Sequence, residues 1–294
     1  MLKHRLTFGS LMFAALAALV YADHHLETQP THGMFLETLL PGLTALPAGI
    51  IVLPVMLILV VLAAPELDAL LSATGLGCGR WGVRLAALGG CLATTVAPGC
   101  LAEKNTVGVA VISLIMATGL LLPSFRRREV AGAMRASAGL LFATIYLGVL
   151  PGFLFLIRRD DGAVMMAAVI AATKMGDSGA YFTGRLIGRH KLVPWLSPAK
   201  TWEGLGGAIV AATATFVLID LAAGQQIGEP LIAVAIGVLI GLVGHAGDLA
   251  ASLLKRDAGV KDSGAAVPGF GGLIDIFDSL LLVGPVVYLF LLMR

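Results

Sequence analysis

The sequence predicts an all-α, polytopic integral membrane protein with about nine transmembrane helices and two cytoplasmic catalytic loops. Three observations predict it. Of 294 residues, 58% are hydrophobic and 13% charged, against roughly half apolar and a quarter charged in soluble domains. The mean hydropathy is +0.93. Uncharged runs long enough to cross a bilayer recur along the whole chain. So apolar a chain has too little polar surface to cover a water-facing globule. A soluble enzyme, a nucleic-acid-binding domain and a disordered tail are therefore excluded, and the net charge of +2 points to no strongly charged partner.

Taken in order, the candidate spans are 6–22, 46–64, 83–100, 106–123, 137–157, 162–174, 204–222, 230–247 and 273–293. The first follows Lys3, His4 and Arg5 in the manner of a signal peptide, but its length favours an uncleaved helix. Pro41, Pro47 and Pro54 blur the start of the second, since proline kinks membrane helices more often than it ends them. The sixth is short and spans by extending into 175–182. Residues 1–136 read as a transmembrane scaffold and 137–294 as the catalytic region. Cys78, Cys91 and Cys100 form no CxxC pair and read as small buried residues. His24, His25 and His32, near Glu27 and Glu37, are too irregularly spaced for a metal site and read as an exposed segment.

Orientation follows from Lys and Arg, which accumulate in cytoplasmic loops. With the N-terminus inside, most of them fall on the cytoplasmic side. Lys104, Arg158, Arg159 and Arg294 fall outside, Arg158 and Arg159 being followed directly by Asp160 and Asp161. Two long polar loops, 175–203 and 248–272, then lie on the inner side, while the other connections are short.

The second loop combines acids, bases and glycines. Asp275 and Asp278 are three residues apart at the start of an apolar helix, hence on one face. Asp248 ends the preceding run. Carboxylates at membrane depth are costly and need a cation, a basic side chain or water. Carboxylate oxygens suit Mg²⁺, which binds through one or two of them plus substrate phosphates. Lys255, Arg256 and Lys261 can neutralise phosphate. Gly269, Gly271 and Gly272 let backbone approach a ligand ahead of a helix N-terminus. Singly, each residue also reads as a helix-dipole acid or a membrane anchor. Together they favour phosphoryl or nucleotidyl transfer. In the first loop, Asp177 can pair with Lys174 or Arg185 or bind a cation, and Lys200 and Arg185 can take phosphate. Thr201 is a candidate helix cap, and Trp202 an interfacial anchor.

The stretch from Ser252 to Asp278 resembles the signature of phosphatidate cytidylyltransferases. Ser252, Lys255, Arg256, Lys261, Asp262, Gly264, Pro268, Gly271, Gly272, Asp275 and Asp278 stand in its register. Asp177, Gly184, Arg185 and the run Ser197 to Gly204 also look like that family. The resemblance covers roughly the C-terminal 120 residues. Phe270 stands where the family usually has His, Ile276 where it usually has Arg, and Ala251 where a Glu is frequent.

The resemblance implies a divergent member that transfers a cytidylyl group from CTP to phosphatidic acid, giving CDP-diacylglycerol and pyrophosphate. It implies Asp248 and Asp275 as holders of Mg²⁺, a second cation being compatible. It implies Lys255, Arg256, Lys261, Asp262 and Asp278 as catalytic groups. Ser197, Lys200, Arg185, Ser252, Gly271 and Gly272 would contact the substrates. The expected partners are CTP and phosphatidic acid in the bilayer, with no nucleic acid; a homodimer is compatible. The expected location is the bacterial inner membrane, with the N-terminus and both loops cytoplasmic. The alternatives are a CTP-dependent lipid kinase, a cytidylyltransferase for another lipid phosphate and, with polar groups in its helices, a transporter.

Overall fold

A computed structural model describes residues 2–28, 46–96, 131–267 and 271–294. It is an all-α integral membrane protein. The described helices are α1 (Leu2–Glu27), α2 (Val52–Ala73), α3 (Arg80–Val96), α4 (Ala133–Asp160), α5 (Ala163–Leu186), α6 (Trp202–Ala222), α7 (Pro230–Asp257) and α8 (Ile274–Leu292). A small antiparallel hairpin, β1 (Lys191–Val193) and β2 (Ser197–Thr201), joins α5 to α6. Five helices, α2, α4, α6, α7 and α8, are long and apolar enough to cross a membrane. The expected span at 106–123 lies outside the described residues, as do Cys100, Lys104 and Phe270.

Two expectations are corrected in extent. The polar segments 175–203 and 248–272 are helical in their first parts. Helix α5 runs on to Leu186 and α7 to Asp257, so the connections shrink to 187–201 and 258–273. The reason is visible in spacing. Neither 175–186 nor 248–257 holds a proline, and their polar residues recur every three or four positions, which suits one face of a helix. Helix α5 stops where Gly188 follows its last turn, and α7 stops at Gly259, whose φ of 73° only glycine adopts without strain.

Close packing of α5, α6 and α7 rests on small residues. A Cβ placed on Gly179 of α5 would meet Gly207 O and Ala211 Cβ of α6 at 2.6 Å. A Cβ on Gly241 of α7 would meet Ile209 Cα at 2.6 Å. Without a hydrophobic force between helices in lipid, such close backbone contact is what holds them together. Thr201 caps α6 as expected, its Oγ1 accepting from Gly204 N at 3.1 Å.

Helix α4 contains one π-helical stretch, Thr144–Val149. There a Cβ on Gly148 would meet Ala87 O of α3 at 2.6 Å, so the wider turn seats the two helices against each other. At the far end of the bundle, the described basic residues that oppose the positive-inside pattern are paired. Arg158 meets Asp23 and Glu27, Arg159 meets Asp160, and Arg294 meets Asp161.

Candidate active site

The site is built from helix faces. Helix α7 carries His245, Asp248, Ser252 and Lys255 at steps of three, four and three residues, which puts them on one side. Helix α8 contributes Asp275, Asp278 and Ser279, α5 contributes Lys174 and Asp177, and the end of β2 contributes Lys200.

These groups pair across elements. Lys200 Nζ lies 3.0 Å from Asp248 Oδ2. Lys174 Nζ lies 3.1 Å from Asp177 Oδ2 and donates to Ser279 Oγ at 3.0 Å, while Ser279 Oγ donates to Asp177 Oδ2 at 3.0 Å. Asp177 thus pairs with Lys174 rather than with Arg185, whose guanidinium donates to Tyr181 OH at 2.8 Å. Lys255 Nζ meets Asp275 Oδ1 at 2.6 Å. Buried Asp278 accepts from Ser279 N at 2.7 Å, and among the described residues no ion pair reaches it. The charges that act on it most are those of Asp248, Lys174, Asp177 and Lys255.

Asp275 has a second task. Its Oδ2 accepts from Gly272 N at 2.8 Å, Ser263 N at 2.9 Å and Ser263 Oγ at 3.0 Å. It therefore fixes the turn ahead of α8, which Val267 and Gly271 close by exchanging backbone bonds of 2.9 and 3.2 Å. Gly271, at φ 97°, is needed there, because a Cβ would meet Asp275 Oδ2 at 2.7 Å.

Glu66 of α2 completes this arrangement. Its carboxylate accepts from Leu273 N at 2.8 Å, Ile274 N at 3.0 Å and Ser263 Oγ at 3.0 Å. It caps the positive end of α8 from another helix. The sequence reading passed over it because it sits in a stretch treated as apolar scaffold. Its signal was its charge two residues past the end of the candidate span 46–64.

Other expected site residues stand apart. Arg256 is exposed on the last turn of α7, where it donates weakly to Val260 O at 3.4 Å, and Lys261 and Asp262 are exposed on the connection after it. Arg185 is exposed on the last turn of α5. Ser197 lies half-buried in β2, and Ser252 half-buried on the α7 face. Gly272 is buried, where a Cβ would meet Glu66 Oε2 at 2.5 Å. Ile276 is buried.

Two buried groups absent from the expectations lie within electrostatic reach of the same carboxylates. Tyr146, in the π-helical turn of α4, feels Asp278, Asp275 and Asp248, and its hydroxyl has no hydrogen-bond partner among the described residues. The same is true of His245 Nε2, which feels Lys200, Asp248 and Asp177.

No three His, Cys, Asp or Glu side chains converge as a metal cage among the described residues. Mg²⁺ does not require one, since it keeps waters and substrate phosphates as ligands beside one or two carboxylates. Asp248 and Asp278 fit that role better than Asp248 and Asp275, because both oxygens of Asp275 are committed to Lys255 and the turn.

Residues 30–293 match the model of a cytidylyltransferase family. That match reaches well beyond the C-terminal motifs into the first half of the chain. An uncharacterized Escherichia coli K12 protein, YnbB, is 42% identical over 133 residues, 45% of this chain and 44% of its own. The Bacillus subtilis phosphatidate cytidylyltransferase is 40% identical over 152 residues, 51% of this chain and 56% of its own. The Thermotoga maritima phosphatidate cytidylyltransferase is 32% identical over 182 residues, 60% of this chain and 67% of its own. The matched stretch thus spans about half the length of the first two relatives.

Proposed function

This chain belongs to the cytidylyltransferase family, and from that premise we propose that it transfers the cytidylyl group of CTP to phosphatidic acid, giving CDP-diacylglycerol and pyrophosphate. One observation carries the reading: Asp177, Asp248 and Asp278 gather on three neighbouring helices with Lys174, Lys200 and Lys255 among them. Carboxylates in mutual repulsion at membrane depth suit a divalent cation, and lysines beside them suit phosphate.

The chemistry asks little covalent work of the protein. A lipid phosphate oxygen attacks the α-phosphorus of CTP in line, and pyrophosphate leaves. The phosphomonoester is already ionised near neutral pH, its second pKa being about 6, so no general base is required. Asp248 and Asp278 would hold Mg²⁺, which supplies charge neutralisation to the phosphates when bound. Lys200 and Lys174 would orient phosphate oxygens and offset developing charge. Lys255 and Asp275 hold the turn ahead of α8 in place. Among the described residues most Lys and Arg fall toward the hairpin and the turn, which supports a cytoplasmic site in a bacterial inner membrane.

Purified protein in detergent with labelled CTP, phosphatidic acid and Mg²⁺ tests this. CDP-diacylglycerol and pyrophosphate are expected in equal amounts, lost with EDTA and with Asp248→Asn. Release of CDP with a phosphorylated lipid would make it a kinase instead, and absence of any lipid product from folded protein would end the assignment.

A further inference from the structure

Two buried nitrogens beside Asp248 lack hydrogen-bond partners among the described residues. One is Nε2 of His245, a residue 8% exposed. The other is Lys200 Nζ, which reaches Asp248 Oδ2 at 3.0 Å as an ion pair but without hydrogen-bond alignment. They come from different elements: His245 precedes Asp248 by three residues on one side of α7, and Lys200 reaches that carboxylate from β2. Buried polar groups are ordinarily hydrogen-bonded, and leaving one unpaired is expensive. Lysine can only donate, and imidazole donates from Nε2 in one of its two tautomers, so an acceptor such as a phosphate oxygen would satisfy both.

We propose that His245 Nε2 and Lys200 Nζ together bind one phosphate oxygen of a substrate, with His245 the positioning donor. This rests on the cytidylyltransferase reading for the identity of that substrate. The oxygen belongs either to the nucleotide triphosphate or to the lipid phosphate, which share this chemistry.

The test compares His245→Leu, His245→Gln and His245→Asn with the wild-type enzyme in detergent. The Gln amide reaches the Nε2 position, and the shorter Asn amide does not. Leu and Asn are expected to raise one KM by about tenfold, as expected for losing a hydrogen bond to a charged group. Gln is expected to stay close to wild type, with thermal midpoints preserved. A rise in the CTP KM assigns the oxygen to the nucleotide, and a rise in the phosphatidate KM assigns it to the lipid. Should Leu fail to fold, Gln against Asn decides. Unchanged KM values, or Gln as impaired as Asn, overturn the proposal. Binding of labelled inorganic pyrophosphate separates this from the broader reading. His245-dependent binding in a protein that makes no CDP-diacylglycerol keeps the subsite and removes the reaction. Normal turnover with indifference to His245 does the reverse.

Discussion

Glu66 accepts the backbone N–H of Leu273 at 2.8 Å, across 207 positions of sequence. Ile274 N and Ser263 Oγ share the same carboxylate. One acid in α2 thereby sets where α8 begins and where Asp275 and Asp278 point. Glu66→Ala strands these donors, at about 1–3 kcal/mol for each that stays buried. A lowered thermal midpoint in detergent and a large loss of turnover are expected. Glu66→Gln keeps one acceptor oxygen and is expected to fall between. An alanine variant with wild-type midpoint and turnover would show that the turn is held by other contacts.

Lys255 and Asp275 form a pair whose side chains are 11% and 7% exposed. Removing one partner leaves a buried charge, which costs about 3–5 kcal/mol in well-buried pairs. Lys255→Met is expected toward the lower end of that range. Asp275→Asn, which keeps an acceptor for Ser263 and Gly272, is expected to cost less. The double variant should recover part of the stability but not the activity. A double-mutant cycle of thermal midpoints, read beside turnover, checks it; strict additivity would mean that the two residues act independently.

The membrane class, the helical spans and the polar cluster of the C-terminal half were legible because apolar length and charge in lipid are strong signals. The helical reach of 248–257 was also legible in principle. His245, Asp248, Ser252 and Lys255 repeat at helical spacing, although the polar residues from 248 on suit a loop equally well. Glu66 and Tyr146 were not legible as site residues. Their role depends on which helices pack together, and one sequence does not state that. That both oxygens of Asp275 are taken up by Lys255, Ser263 and Gly272 was not legible either, because only the folded turn brings those groups together.

Cys78 lies half-buried between α2 and α3. Burial, then the nearby charge of Asp68, pushes its thiol up to about 11. Only the thiolate reacts with alkylating reagents. Cys78 is therefore expected to be nearly inert to iodoacetamide at pH 8. Its rate should climb about tenfold per pH unit while the thiol remains the major form. Peptide mapping of the alkylated protein against pH checks this, and Asp68→Asn should shift the profile toward lower pH. A rate that levels off near pH 8.5 would mean that the thiol is exposed.

Arg158 is wholly buried and so is Asp23. Arg158 Nε meets Asp23 Oδ2 at 2.6 Å and Nη2 meets Glu27 Oε2 at 2.7 Å. The other oxygen of Asp23 accepts from Ile51 N at 2.8 Å and Val52 N at 3.3 Å. One guanidinium thus ties α4 to α1 and, through Asp23, to the start of α2. Arg158→Met strands a buried carboxylate, for about 3–5 kcal/mol. Arg158→Lys retains charge but not the forked donors and should recover only part. Tyr288, at the other end of α8 from Asp275, bonds Asp160 at 2.9 Å, which places this network far from the carboxylate cluster. The thermal midpoint is therefore expected to fall while KM values of the remaining folded enzyme stay near wild type. A changed KM with an unchanged midpoint would instead tie this end of the bundle to catalysis.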